Sequence, residues 1–380
     1  MSNCLITDEL IKEEFPASSK NSWLCTGIVG VMPKSAAKAL ADIIMRFETE
    51  FFFHHSEVDS AVETLRGRLA NLISAKNPTD ICFTRNATEG IIIGLSNIDL
   101  NSGDEIVTSN QEHGALLDRL NFINNRGRAK LRMFEIHGDP EETLQSMKSQ
   151  INEKTKILAF SHVSCQSGIR LPVVEMCKLA REVGAYVLLD GAQTIGNIPV
   201  NVTDYDCDFY VGNGHKWLCG PLGTSFLYVN PDSEISLSST FMAFGSAGDD
   251  SATKRNALRF EYGTRDKMLL YGLLKVFELY DKWGWQMKEG RIKELTAYLR
   301  EKMSAIPKCS MITPMDWEKS SGNTSFTMEG YTWDKVNSYL SSEWKIYLRA
   351  VPEISVNRVS TSYFNTYKEV DRLIEALKAM

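Results

Sequence analysis

Six short runs are apolar almost throughout: ICFT (81–84), EIVTS (105–109), KILAFSHV (156–163), AYVLLD (185–190), CDFYVG (207–212) and TSFLYV (224–229). Strands of a half-solvated sheet alternate apolar and polar residues, so runs without alternation predict strands covered on both faces. Between them lie segments of helical pattern, opening near Thr88 and near His113. A third, LPVVEMCKLAREVG (171–184), ends at a glycine suited to a helix C-terminus. Strand and helix in alternation predict an α/β fold on a mostly parallel sheet. After about Gly263 the pattern changes to long helical stretches, MLLYGLLKVFELYDKWGW and EGRIKELTAYLREKM, and the remainder reads as a smaller α+β unit. The expected organisation is an N-terminal arm (1–20), a large domain (21–262) and a small C-terminal domain (263–380). At 380 residues the chain is long for one core.

Composition removes several function classes. The net charge of −6 gives no electrostatic footprint for nucleic acid or an anionic membrane. The longest apolar runs fall far short of a membrane span. The opening MSNCLITDELIKEEF carries acids early and no long apolar run, which predicts a cytoplasmic protein. Eight cysteines are dispersed without a C-x-x-C pair and only six histidines accompany them, so no metal site is expected and most thiols read as reduced packing residues. No G-x-G-x-x-G turn appears, against a dinucleotide enzyme.

Chemistry concentrates in VLLDGAQTIGNIPVNVTDYDCDFYVGNGHKWLCGPLGTSFLYV (187–229). Asp190 ends an apolar strand, Gln193 follows in the next turn, and His215 and Lys216 lie in a glycine-rich turn ahead of another apolar run. A lysine for a Schiff base and a carboxylate for a pyridinium nitrogen are the fixed points of a pyridoxal-phosphate site. Apolar surroundings lower the proton affinity of an amine and make it a nucleophile. In FTRNATEGIIIGL a strand turns into a helix at Ala87 and Thr88, and the first turn of such a helix can receive a phosphate.

These motifs resemble the class V aminotransferase family of pyridoxal-phosphate enzymes, which includes cysteine desulfurases, isopenicillin N epimerase-like proteins and carbon–sulfur lyases. The resemblance runs from about Trp23 to the C-terminus. It implies fold type I, with a seven-stranded type of sheet in the large domain. Lys216 would hold the cofactor and shuttle the substrate's α-proton, with Asp190 on the ring nitrogen. Gln193 would face the phenolate oxygen, and His113, in QEHGALL, would stack on the ring. Ala87 and Thr88 would bind phosphate, joined by Asn213, which stands where desulfurases carry serine. His215 would support the lysine turn. Thr264, in RFEYGTRD, would reach the phosphate of a neighbouring subunit and make the active unit a homodimer. In ISVNRVSTSYF, Arg358 would receive the substrate α-carboxylate, with Arg265 and Arg349 as alternatives.

Three departures bear on the reaction. No cysteine occurs between Ser341 and Arg358, where desulfurases carry their nucleophile. Cys165, in SHVSCQSG, replaces an asparagine near the ring oxygen, either altering the ring's electronics or filling space. Thr26, in WLCTGIVG, marks a distinct substrate side-chain pocket. The resemblance therefore implies a carbon–sulfur lyase acting on a cysteine-derived amino acid, with a class V aminotransferase or an epimerase as the alternative and a desulfurase disfavoured.

Overall fold

A computed structural model describes residues 7–19, 21–50, 54–237 and 256–380. Its largest sheet has seven strands in the order β2-β8-β7-β6-β5-β3-β4. These are β2 (Ile81–Thr84), β3 (Glu105–Ser109), β4 (Lys130–Phe134), β5 (Thr155–Ser161), β6 (Tyr186–Asp190), β7 (Phe209–Asn213) and β8 (Ser225–Val229). Only β8 runs antiparallel to its neighbours. The α/β architecture with a mostly parallel sheet is therefore present as expected.

The uninterrupted apolar runs have their cause in this sheet. Ile81, Phe83, Val107, Leu158, Phe160, Val187, Leu189 and Tyr210 face one core, and Cys82, Ile106, Ile157, Ala159, Leu188, Phe209 and Val211 face another. Alternate side chains thus meet helices on opposite sides, and neither face is left to water. Strand β4 differs. At the sheet edge its KLRMF buries only Phe134 fully, and so small an apolar signal gives no strand pattern to read.

The glycine-rich bends bring the strand ends together. Gly191 follows Asp190, and a Cβ there would lie 2.1 Å from the Tyr210 ring. That ring cannot retreat, because its hydroxyl is bonded to Thr194 Oγ1 at 2.5 Å and to His162 Nδ1 at 3.1 Å. Gly191→Ala is expected to destabilise the fold by about 1–3 kcal/mol through overpacking. The check is a lower denaturant midpoint at unchanged m-value.

The C-terminal part holds a four-stranded antiparallel sheet in the order β12-β13-β10-β9. It comprises β9 (Cys309–Met311), β10 (Asn323–Met328), β12 (Arg349–Val351) and β13 (Val356–Ser360). Two long helices, Met268–Trp283 and Trp285–Ser304, precede it, separated at Gly284 with φ of +89°. The N-terminal segment joins both parts. Ile11 and Phe15 of the helix region Asp8–Phe15 are fully buried, Phe15 stacking on Phe364. Strand β1 (Ser22–Trp23) pairs in parallel with β11 (Ile346–Tyr347).

Candidate active site

Parallel strands deliver their C-terminal ends to one edge, where ligand crevices of α/β sheets lie. At that edge is a cavity of about 230 Å³ lined by Asn86, Ala87, Thr88, His113, Ala115, Ser161, Val163, Cys165, Asp190, Ala192, Gln193, Asn213, His215 and Lys216. Nine residues singled out in the sequence therefore meet in one place: Ala87, Thr88, His113, Cys165, Asp190, Gln193, Asn213, His215 and Lys216.

Lys216 sits in the turn after β7, and several contacts shape that turn. Gly214 N–H donates to Thr224 O at 2.9 Å, and Gly30 N–H donates to His215 O at 2.8 Å. A Cβ on Gly30 would come within 2.1 Å of Lys216 O, so the N-terminal segment presses on the turn as only glycine permits. From behind, the Tyr280 hydroxyl donates to Leu218 O at 2.6 Å. His215 Nδ1 meets Thr224 O at 3.2 Å, which fixes its N–H there and makes it a brace of the turn. Loss of solvent lowers the proton affinity of Lys216, and the charge of Asp190 opposes that shift. The amine is thus nucleophilic at lower pH than a solvated lysine.

Asp190 is buried at the end of β6. Its Oδ1 accepts the Ala192 N–H at 2.8 Å, while its second oxygen takes no hydrogen bond among the described residues. A buried carboxylate with one unused oxygen fits a protonated ring nitrogen. Gln193 is oriented by three bonds: Nε2 donates to Gly27 O at 2.8 Å, and Oε1 accepts from Trp217 Nε1 at 3.0 Å and Asn323 Nδ2 at 3.2 Å. Asn323 lies far along the chain, and no local pattern marks it.

The helix Ala87–Ser96 opens on the cavity, with the Asn86 side chain accepting Glu89 N–H at 2.9 Å. Asn213 Oδ1 accepts the Ala87 N–H at 3.1 Å, so the amide lies at the helix N-terminus and lines the cavity there. Thr88 is exposed to the cavity. Glu89 accepts the Arg85 N–H at 2.6 Å and orients the turn. His113 caps the helix Gly114–Asn125, its Nδ1 accepting Ala115 N–H at 3.1 Å. That bond leaves the ring proton on Nε2. Desolvation, and then the charge of Lys216, lowers its pKa, which keeps the ring neutral.

Cys165 has its thiol pushed up by burial, so it stays protonated and packs against the cavity wall. Arg358, on β13, stands behind that wall. Its side chain is fully buried and Nη1 donates to Cys165 O. Its Nε and Nη2 have no partner among the described residues. Desolvation and the charge of Arg349 bring its pKa down to about 10. Arg349 is the cross-strand neighbour on β12, with Glu353 3.9 Å away. Two guanidinium groups side by side, one with unused donors, fit an absent carboxylate. Thr26 is buried next to Gly27 with its hydroxyl unpartnered, and a Cβ on Gly27 would fall 2.6 Å from Arg358 Nη2.

Two residues lie apart. Arg265 donates to Phe83 O, Phe260 O and Tyr262 O, and is committed to the backbone. Thr264 is exposed and lines a neighbouring cavity of about 450 Å³ that shares Asn86 and His215 with the first. Among residues absent from the sequence reading, Ser161 joins the cavity from the end of β5, and its position at a strand terminus was the available signal.

The family profile described as aminotransferase class-V matches residues 48–373. Cysteine desulfurases of Escherichia coli (strain K12 / DH10B) and Escherichia fergusonii are 28% identical over 400 residues, with 97% of each chain covered. A solved complex of the cystine C–S lyase C-DES with its product cysteine persulfide superposes with a TM-score of 0.87 at 24% identity, over 96% of this chain and 99% of that one. The apo cysteine desulfurase of Thermococcus onnurineus NA1 gives 0.86 at 22% identity, over 98% and 97%. With most of its length matched and this cavity at its sheet edge, the chain belongs to the class V aminotransferase family of pyridoxal-phosphate-dependent enzymes.

Proposed function

We propose that this enzyme is a carbon–sulfur lyase that eliminates the β-sulfur group of a cysteine-derived amino acid. The observation that carries the reading is the buried Arg358 guanidinium with two unused donors beside Cys165 and Gln193. It suits an amino-acid α-carboxylate delivered next to Lys216. The desulfurase and cystine-lyase relatives favour cleavage at carbon–sulfur bonds.

Pyridoxal phosphate supplies an aldehyde for the amine and an electron sink for charge developing at Cα. Thr88, the Asn213 amide and the helix N-terminus would hold its phosphate. Asp190 would hold the ring nitrogen in its protonated form through its second carboxylate oxygen. Gln193, held in one orientation, would face the phenolate oxygen, and the His113 ring would lie against the cofactor ring. Arg358 receives the α-carboxylate in a two-pronged fork, with Arg349 adding positive charge. Lys216 Nζ would take the Cα proton, and the Cα–H electron pair would become the Cα–Cβ double bond. The β-carbon–sulfur pair would leave on sulfur, after which water converts the released enamine to pyruvate and ammonia. Ordering by Arg358 and Lys216 sets which bond at Cα is broken.

A persulfide carried on the enzyme does not fit this chain. The turn between β12 and β13 is short, and no cysteine lies between Ser341 and Arg358. The active unit in this reading is a homodimer, supported by the exposure of Thr264 beside His215 and Asn86. The domain limits at 20 and 262 are part of the same proposal, since the large sheet lies within 81–229 and the small one within 309–360. A cytoplasmic setting is supported by the seven cysteines among the described residues, all of them free thiols. No helix among the described residues is long and apolar enough to cross a membrane.

The test is a substrate panel. Cystine, cysteine and S-substituted cysteines are incubated with the holoenzyme while pyruvate and released sulfur are assayed. Pyruvate and sulfur product in equal amounts are expected. Amino transfer to an added keto acid without sulfur release overturns the lyase reading in favour of an aminotransferase. Deuterium entering Cα of an inverted, uncleaved product favours an epimerase.

A further inference from the structure

A buried acid beside His113 has no role in the chemistry above. Glu112 is 3% exposed, on the loop after β3. Its Oε1 accepts the Ser109 hydroxyl and, at 3.1 Å, the Ser161 backbone N–H. Its Oε2 accepts the Ser161 hydroxyl at 2.5 Å. The Ser161 N–H must donate and both hydroxyls can, as an ionised carboxylate requires. Burial opposes ionisation and brings its pKa up to about 7, with the charge of Asp190 adding to the rise. The Glu112 carbonyl also accepts Gln166 Nε2 at 3.3 Å, pinning the segment that carries His113. Ser161 lines the cavity and is the register partner of Asp190 across β5 and β6.

We propose that Glu112 is a positioning residue that sets the direction of the Ser161 hydroxyl at the wall of the cofactor cavity. With Glu112 ionised, the Ser161 proton points to the carboxylate and its oxygen lone pairs face the cavity. When Glu112 takes one proton from solvent, it donates to Ser161, whose own proton turns into the cavity. One proton from solvent forms the Glu112 O–H bond, the Ser161 hydroxyl turns, and no other covalent bond changes. The charged and titratable groups around Glu112 are Asp190 from β6, His113 on its own segment, and Cys165 beyond the end of β5, on whose thiol the Glu112 charge acts. The ligand side would then meet an acceptor above neutral pH and a donor below it.

The inference rests on the cavity being the pyridoxal-phosphate site. The experiment is a pH titration of the visible spectrum of holoenzyme for the wild type, Glu112→Gln and Ser161→Ala, with melting midpoints measured in parallel. The wild type is expected to show a spectral transition near pH 7 that both variants lose. The Glu112→Gln melting midpoint should stay within about 4 °C of wild type. Long-range charge alone would remove the transition in Glu112→Gln and spare it in Ser161→Ala, and that result overturns the proposal. So does a wild type with a visible band and no transition near pH 7. If Glu112→Gln does not fold, Ser161→Ala decides, because it leaves the carboxylate in place. A wild type with no visible band overturns the cofactor assignment itself, an outcome distinct from the others.

Discussion

Lys216→Ala is expected to abolish the visible band of the purified enzyme and to lower turnover on the order of 10⁴-fold or more, the scale of losing a group that forms a covalent intermediate. The size of the effect follows from the surroundings of the turn. Gly30, His215 and Tyr280 hold it from three sides, and no second lysine lines the cavity. Loss of solvent lowers the amine's proton affinity and Asp190 raises it. Removing the Asp190 charge therefore lowers the Lys216 pKa further, so Asp190→Asn is expected to retain a cofactor-bound lysine while losing turnover. Absorbance scans with and without added cofactor check both variants. A Lys216→Ala protein that keeps band and turnover ends the assignment.

Arg358→Met is expected to lower kcat/KM by about 10²–10³-fold, the equivalent of about 3–4 kcal/mol for a paired carboxylate–guanidinium contact. Arg358→Lys should recover little, since an ammonium keeps the charge and loses the fork. Stability should move the other way. In the ligand-free protein a fully buried guanidinium has two unpartnered nitrogens, and Arg349 adds repulsion. Burying such a charge without a partner is costly, and an apolar replacement of similar length relieves that cost. Arg358→Met should therefore melt at or above the wild-type temperature while losing activity. A parallel fall of both would mark Arg358 as a structural residue and remove it from substrate binding. Steady-state kinetics and thermal melts of the same preparations decide between the two.

The order of legibility along the chain has physical causes. Wholly apolar strands announce themselves because both faces are covered, so six of the seven strands of the large sheet were readable. The edge strand β4, with Lys130 and Arg132, was not. Asp190 and Lys216 were readable because both follow strands directly and each belongs to a local motif. Asn213 was readable as a position, but its bond to Ala87 N–H depends on β7 ending beside the start of a distant helix. Asn323, which helps fix Gln193, and Glu112, which holds Ser161, act through contacts 130 and 49 residues away in sequence. No spacing rule reaches so far. The same holds for Arg265: its sequence context resembled that of a ligand-binding arginine, while three backbone carbonyls claim it.

The pairing of β1 with β11 has a consequence for synthesis. Ser22 and Trp23 wait for Ile346 and Tyr347, and Gly27 and Gly30 touch Arg358, Gln193 and the lysine turn only once the segment between them has been made. At about 5–20 residues per second, ribosomes take from roughly a quarter of a minute to a minute over that stretch. The seven-stranded core, within residues 81–229, can close on the nascent chain before Arg358 exists. An early-released chain would then hold Lys216 and the cavity around it without the strand proposed to receive the substrate.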